Sequence, residues 1–298
     1  MNTQGHKSLF TGLFQTALVF VLLLGALRIS EAQLGVFWGS GTNAGNPALL
    51  TDSVALGYGT LANNSQATYN TAMGLNALFS NTTGFDNSAY GQSALYYNTT
   101  GYDNTANGDF ALESNTTGNY NTANGYQALY SNTTGYDNTA IGWIALASTT
   151  TGFDNTANGL GALYFNTTGF WNTASGVGAL SSNTTGYDNT VNGVYALLSN
   201  TTGHDNTADG DDALFSNTTG SNNIALGYGA GQNLTTGNNN IDIGNQGTAG
   251  ESGIIRIGTE GTQSAAYLAG IYGAIGGTGV GVHVNARGQL YTKTSSRR

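Results

Sequence analysis

One short unit is repeated along most of this chain, and it constrains the fold more than any other feature. The unit reads N-T-A-x-G-x-x-A-L-x-x-N-T-T-G-[FY]-D, and its first position falls on Ser53, on Asn70 and then every 17 residues to Asn223. Asn240 opens a degenerate further copy, and the register from Ser53 to Asn240 contains no insertion. A fixed period with Gly and Asn at constant phase is typical of a solenoid, because each coil must turn its corners at the same place.

Residue types within the unit, numbered here from position 1 to position 17, predict its local structure. The N-T-A-x segment predicts a short strand, and the Gly residues at positions 5 and 15 predict corners. Ala at position 3 and the Ala-Leu pair at positions 8 and 9 are the only steadily apolar columns, so we expect them to form the core. The stretch around Ala-Leu fits either a second strand or a helical turn.

The Asn columns predict ladders in which side-chain amides hydrogen-bond from one coil to the next. At about 4.8 Å per coil, the eleven units predict a rod on the order of 50 Å long. Two Ala and one Leu per coil make a thin core for the number of residues that must be ordered. The rod is therefore expected to need stabilisation from elsewhere.

Aromatic columns suggest where that stabilisation arises. Regular apolar stripes on a rod favour a lateral homo-oligomer with cyclic symmetry, in which the stripes become the interface. The alternative is a set of exposed stacking ladders. Position 10 carries Phe79, Tyr96, Tyr130, Tyr164 and Phe215, and the predicted interface at position 16 consists of Phe85, Tyr102, Tyr136, Phe153, Phe170 and Tyr187.

Charge is scarce and one-sided. Only 8% of the residues are charged, and no Lys or Arg lies between residues 29 and 255, a stretch that contains 15 of the 16 acids. Such a body cannot neutralise a phosphate backbone, so nucleic acid is excluded as a partner, while cations or cationic surfaces are favoured. The chain has no Cys, which excludes disulfides and Cys-based metal sites.

The first 32 residues are typical of a secretory signal. A polar start precedes the apolar run Ala17–Leu27, and the small residues Ser30 and Ala32 suit cleavage before Gln33. The alternative is an uncleaved anchor over Leu9–Leu27, which would be the chain's one contact with a membrane. In either case we expect a secreted or cell-surface protein, with residues 33–52 as an N-terminal cap to the repeats.

Two short segments carry a family resemblance. Ser53-Val-Ala-Leu-Gly-Tyr-Gly59 and Asn223-Ile-Ala-Leu-Gly-Tyr-Gly-Ala230 resemble the head repeats of YadA-like trimeric autotransporter adhesins, over roughly residues 53–258. The resemblance implies an all-β fold in which the 17-residue coils form a left-handed parallel β-roll or solenoid, with three chains side by side and a binding surface held away from the cell. The unit is three residues longer than is usual in that family, and no membrane-anchoring β-barrel segment is recognisable.

Residues 259–298 form a distinct tail. Its sequences Val282-His-Val-Asn-Ala-Arg-Gly-Gln-Leu290 and Thr294-Ser-Ser-Arg-Arg298 resemble the junction that precedes the intramolecular chaperone domain of endosialidase-type phage tail fibres. The resemblance implies that this tail is a stub before such a domain. The alternation over Gly281–Val284 predicts a strand that caps the open end of the solenoid.

Departures from the repeat are where a chemical site could arise. The acidic group Asp205, Asp209, Asp211 and Asp212 could bind Ca²⁺ through carboxylate oxygens. The alternative is that Asp replaces Asn at turns and exposed positions. We expect no catalytic residues and no cofactor other than this possible calcium; an enzyme would show metal-dependent turnover that is lost on substitution of Asp209 or Asp211.

Two further readings concern the N-T-T sequence, which matches a glycosylation acceptor and could also present hydroxyl rows that match ice. A corner motif explains it equally well. The sequence therefore predicts an adhesin-like protein that attaches to cells, matrix or other surfaces. The alternatives are a phage-fibre-like spacer without a ligand and an ice-binding solenoid.

Overall fold

The computed structural model describes residues 36–38, 52–267, 282–284 and 290–292, all of which are β-structure, turns or irregular segments. Every strand contains three residues. The strands are β1 (Val36–Trp38), β2 (Val54–Leu56), β3 (Thr71–Met73), β4 (Ser88–Tyr90), β5 (Thr105–Asn107), β6 (Thr122–Asn124), β7 (Thr139–Ile141), β8 (Thr156–Asn158), β9 (Thr173–Ser175), β10 (Thr190–Asn192), β11 (Thr207–Asp209), β12 (Ile224–Leu226), β13 (Ile241–Ile243), β14 (Ile255–Ile257), β15 (Val282–Val284) and β16 (Leu290–Thr292).

Strands β1 to β14 form one parallel sheet in sequence order, so the chain winds as a β-solenoid. Neighbouring strands pair in a constant register that repeats the sequence period: Thr105 pairs with Thr122, and Thr122 with Thr139. The spacing changes only at the ends, where Val36 pairs with Val54 and Ile241 with Ile255. The predicted all-β solenoid of 17-residue coils is confirmed.

Each of the strands β2 to β14 is followed by a Gly whose backbone another residue could not readily adopt. In the strand Thr122–Asn124 the middle Ala123 is buried while its two neighbours are exposed. Gly125 follows with φ at +143°, and a Cβ added there would overlap the carbonyl of Gly142 on the next coil. Both the dihedral angle and the close approach of the next coil require Gly at this corner.

The segment after that corner is neither a strand nor a helical turn, which resolves the choice that the sequence left open. Residues Gln127 and Leu129 have left-handed φ angles of 54° and 52°. The amide of Ala128 donates to the carbonyl of Gly125 at 3.3 Å, and the amide of Asn132 donates to that of Leu129 at 3.1 Å. Overlapping β-turns therefore carry the chain across this side of the coil.

The core is the one predicted from the repeat. Ala123, Ala128 and Leu129 have no exposed surface, and their equivalents are buried in the other coils. The leucine is the only large side chain in the interior of most coils. Hydrogen bonds between coils supply much of the remaining cohesion, because they run around the turns as well as along the strands.

Two buried Asn ladders lie beside this core, as predicted. At position 1, Nδ2 of Asn104 donates to Oδ1 of Asn87 at 3.0 Å, and at position 12, Nδ2 of Asn115 donates to Oδ1 of Asn98 at 2.7 Å. Both Asn104 and Asn115 also donate to the carbonyl of Gly118 in their own coil. A Cβ on Gly118 would overlap the Asn115 side chain and the carbonyl of Gly135, so position 15 requires Gly for space rather than for its dihedral angle.

Several predictions fall partly or wholly outside the described residues. The signal segment 1–32 lies outside them, and of the predicted cap only β1 and Asp52 are described. In the tail, the predicted strand is confirmed as β15, which pairs antiparallel with β16. Its capping role and the junction at residues 294–298 stay predictions.

Candidate binding surface

The aromatic side chains at position 16 stack on one another along the solenoid axis. The centroids of Phe153 and Phe170 are 5.0 Å apart with an angle of 4° between the rings, and Phe170 stacks in the same way on Tyr187 at 4.9 Å. The stack runs through five coils: Tyr136, Phe153, Phe170, Tyr187 and His204. Phe85 and Tyr102 form a separate pair at 4.8 Å.

This stacking covers much of the surface of these rings within one chain. Phe85 and Tyr136 are 40% and 41% exposed, whereas Tyr102, Phe153, Phe170 and Tyr187 are half-buried. The rings thus form a stacking ladder, which was the alternative to an interface in the sequence analysis. The predicted interface at position 16 stays a prediction.

A more exposed apolar strip lies elsewhere, and the sequence reasoning missed it. At position 6, five consecutive coils carry Tyr126, Trp143, Leu160, Val177 and Val194, which are exposed by 37% to 54%. Ile141 at position 4 adds to the strip on the strand side of the corner Gly. The signal was available in the sequence as a run of apolar residues directly after the position-5 Gly. We call these six residues the apolar strip.

The predicted calcium ligands do not converge. Asp205 contacts His204, with Oδ2 at 2.7 Å from Nδ1. Asp209 accepts a hydrogen bond from Nδ2 of Asn192, and Asp211 accepts one from the backbone amide of Val194. Asp212 occupies the left-handed position 7 with φ at 58°. Across residues 52–267, no three or more acidic or His side chains are placed to hold a metal ion.

Position 17 combines acids with aromatic residues in a second, longer period. Its residues from Asp52 onwards follow the order Asp, aromatic, Asp three times over, which makes a repeat of three coils. We call these groups the Asp–aromatic–Asp triads: Asp52, Tyr69 and Asp86; Asp103, Tyr120 and Asp137; Asp154, Trp171 and Asp188. The aromatic residues recur at intervals of 51 residues, so this longer period is visible in the sequence.

The triad aromatics are half exposed and oriented by their neighbours. Trp171 is 53% exposed, lies at 81° to Phe170 with centroids 5.0 Å apart, and donates from Nε1 to Oδ2 of Asp154 at 3.3 Å. Because both faces of Phe170 are covered by its stacked neighbours, this perpendicular contact sets the edge of Phe170 against a face of the indole. About half of the indole surface stays open to solvent.

Two side chains at position 17 have raised pKa values, to which neighbouring carboxylates contribute. A hydrogen bond with Tyr102 raises the pKa of Tyr120, and the charges of Asp103 and Asp137 raise it further. Desolvation by burial raises the pKa of Asp137, with a contribution from Asp154 on the adjacent coil. The carboxylates are therefore close enough to act on the ring and on each other.

A buried carboxyl marks the C-terminal end of the solenoid. Asp242 occupies position 3, where other coils have Ala or Val, and has no exposed surface. Neither of its carboxyl oxygens has a hydrogen-bond partner among the described residues. Burial raises its pKa to about 6, the charge of Glu251 adds to this, and that of Arg256 opposes it. Arg256 itself donates to both oxygens of Glu251.

The N-T-T sequence is part of the coil's internal bonding. Its Asn residues, such as Asn115, are fully buried in the position-12 ladder, which is incompatible with a glycan on the folded coil. The first Thr, such as Thr116, donates from Oγ1 to the carbonyl of Thr133 on the next coil at 2.9 Å. The second Thr is exposed in ten consecutive coils, from Thr83 to Thr236. One Thr row of each pair therefore faces solvent.

Among the residues that the structure describes, none belongs to a helix that is long and apolar enough to cross a bilayer. Comparison with family models, with curated proteins and with solved structures found no match for this chain.

Proposed function

We propose that this protein is an extracellular adhesin-like rod that attaches to cells, matrix or other surfaces along its length. The observation that carries the proposal is the display of solvent-facing side chains in straight columns, of which the apolar strip and the triads are the most prominent. A solenoid repeats the same contact once per coil, so weak contacts add up along an extended surface. The family resemblance of the repeats implies the same role.

The rod works as a side-by-side homotrimer in this proposal. The apolar strip supports it, because a row of half-exposed aliphatic and aromatic side chains on consecutive coils favours burial against another copy. Equal coil spacing in every copy lets parallel chains pair coil by coil. The strip has no charged residue from Tyr126 to Val194 at position 6, so its burial requires no unpaired charge.

Two measurements on the purified full chain test the proposal. Sedimentation equilibrium should give three times the chain mass, and the same sample should bind cultured cells or a matrix-coated surface in a saturable manner. Trimers without any surface binding would support a structural spacer instead, and a monomer that does not bind would contradict both parts of the proposal.

A second candidate rests on the exposed Thr rows. Thr at position 2 faces outward on seven consecutive strands, from Thr105 to Thr207, and the second Thr of N-T-T does so in ten coils. Evenly spaced hydroxyls on a parallel sheet could order water against ice. Thermal hysteresis of the purified chain tests this, and an absence of hysteresis would remove the candidate.

A further inference from the structure

We propose that the three Asp–aromatic–Asp triads form a docking face for an extended basic peptide segment, with one Arg or Lys side chain in each triad. This inference rests on the proposed adhesive function and names the chemistry of the partner. The occupant is identified by charge complementarity, by the exposed aromatic faces and by the spacing of the triads.

The aromatic residues of the triads are not explained by folding. Position 17 has left-handed φ angles, from 52° in Asp86 to 59° in Asp52, a region that favours Asn and Asp over bulky side chains. Tyr69, Tyr120 and Trp171 nevertheless occupy it with 52% to 58% of their surface exposed. Placing a large ring in this position costs free energy, and about half of each ring stays exposed to solvent, which points to an interaction.

The charges of the triads are not explained by the turn. Asn222 and Asn239 occupy the same position in later coils with φ angles of 58° and 59°. An uncharged amide therefore supports this backbone equally well, yet the earlier coils use Asp throughout, apart from the three aromatics. Since residues 29–255 contain no Lys or Arg, the positive charge that would neutralise these carboxylates must come from outside the repeats.

A guanidinium or ammonium group fits the geometry of each triad. A cation over the face of Trp or Tyr is attracted by the ring, and Trp is the best partner for this interaction. Carboxylates on the coils before and after the ring lie about 4.8 Å from it along the axis, which places them at either side of a cation centred on the ring. In the third triad the indole is held by its hydrogen bond to Asp154, so the ring is positioned before binding.

The spacing of the triads along the axis matches an extended peptide. Three coils advance about 14 Å along the axis, and an extended polypeptide advances about 14 Å in four residues. Side chains at every fourth residue of an extended chain point to the same face, because successive side chains alternate. A basic segment with Arg or Lys at each fourth residue therefore matches all three triads in one register.

The test uses the full chain and a fluorescently labelled peptide of Thr and Ser with three Arg residues, one at every fourth position. Fluorescence anisotropy gives the dissociation constant at low and moderate salt. Two control peptides have the same composition with adjacent Arg residues, or Glu in place of Arg. We expect the spaced peptide to bind more tightly than the adjacent one, binding to weaken as salt rises, and the Glu peptide not to bind.

Variants of the protein locate the contact. We expect Trp171→Asn to weaken binding about threefold to tenfold, Trp171→Tyr to retain most of it, and the double variant Asp154→Asn with Asp188→Asn to weaken it by a similar factor. The double variant Asp209→Asn with Asp211→Asn makes the same charge change outside the triads and should leave the dissociation constant unchanged. If Trp171→Asn lowers the melting temperature, the pair Asp103→Asn and Asp137→Asn around Tyr120 replaces it.

Three results would overturn the docking face: no binding of the spaced peptide, equal binding of the adjacent-Arg peptide, or triad variants that bind like the control double variant at Asp209 and Asp211. The adhesive function is judged separately on cells and matrix. Triad variants that still adhere, with no peptide binding, would leave the proposed function standing and refute only this face. Peptide binding by a chain that adheres to no surface would refute the proposed function alone.

Discussion

Asn132 and Thr149 occupy the same position on adjacent coils, and neither Oδ1 of Asn132 nor Oγ1 of Thr149 has a hydrogen-bond partner in the described part of the chain. In neighbouring coils this contact is an amide-to-amide bond, such as that from Asn132 to Asn115 at 2.8 Å. Thr149 therefore interrupts the position-12 ladder near the middle of the solenoid.

Replacing Thr149 by Asn should close that gap. The new amide can donate to Asn132 and accept from Asn166, and satisfying buried polar groups is worth about 1–2 kcal/mol in the free energy of unfolding. Thermal and urea unfolding followed by circular dichroism measures the gain. Asn115→Thr opens a second gap and should lower stability by a comparable amount; a Thr149→Asn variant no more stable than the parent would contradict this account of the ladder.

Substitution of two glycines by Ala should have very different effects. Gly125→Ala forces a side chain into the carbonyl of Gly142 and a φ of +143°, so we expect a loss of about 3 kcal/mol or more. Gly161 has φ at +63° and open space around an added Cβ, and the equivalent position holds Gln127 and Ile144 in other coils. Gly161→Ala should therefore cost only about 1–2 kcal/mol. Equal melting temperatures for the two variants would count against the close approach of the coils.

The charge state of Asp242 should make the last coil sensitive to pH. Its pKa is about 6 in the folded chain against an ordinary value of 3.8, so the folded state holds the proton more tightly than the unfolded state does. This group's contribution to stability is full below about pH 4 and is lost as the pH rises through about 6.

Asp242→Ala should remove that dependence and stabilise the coil at neutral pH by about 1–3 kcal/mol, because a buried group without partners is replaced by the residue found in other coils. Amide hydrogen exchange of residues 240–257 at pH 5 and pH 7 is the appropriate measurement. Asp188→Asn, at an exposed position, serves as the control. An unchanged pH profile in Asp242→Ala would show that another group is responsible.

Phe153 should contribute mainly to the stability of a single chain. It stacks on both Tyr136 and Phe170, and aromatic pairs add about 0.5–1.5 kcal/mol each beyond burial. Phe153→Ser is therefore expected to lower the free energy of unfolding by about 1–3 kcal/mol. The control Phe165→Ser removes a ring at position 11 that is 52% exposed and should cost less.

Trp143 should contribute to association instead. It is 54% exposed within the apolar strip, so Trp143→Ser should leave the unfolding of a single chain nearly unchanged and weaken the homo-oligomer. Sedimentation over a range of protein concentrations measures the shift. If Phe153→Ser dissociates the oligomer while Trp143→Ser does not, the interface lies at position 16, as the sequence analysis first predicted.

The repeat made the fold largely predictable. Period, strand, core columns and Asn ladders follow from residues with one physical role each: Ala123 fits only the interior, and Asn104 repeats at a spacing that only stacking explains. The turns at positions 6 to 11 were not predictable, because their left-handed residues include Gln127, Ile144 and Leu129, whose types do not indicate such a backbone.

The surface was predictable only in part. Aromatic residues such as Phe153 and Phe170 give the same sequence pattern whether their rings stack within one chain or pack against another chain. A single sequence therefore could not distinguish a stacking ladder from an interface. The triads were not predicted, because Tyr120 and Trp171 interrupt a position that otherwise holds Asp. The role of these aromatic residues depends on their neighbours on adjacent coils, which are 17 residues away in the sequence.

The constant register gives the molecule a length that can change only in fixed steps. Because each interior coil bonds to residues 17 positions away on both sides, deletion of one complete unit between β5 and β11 rejoins equivalent partners and shortens the rod by about 4.8 Å. The triads follow a longer step, and only a change of 51 residues keeps their order. Gain or loss of a single unit in the gene would thus still give a chain that folds. Only gain or loss of three units together would also keep the order of the triads.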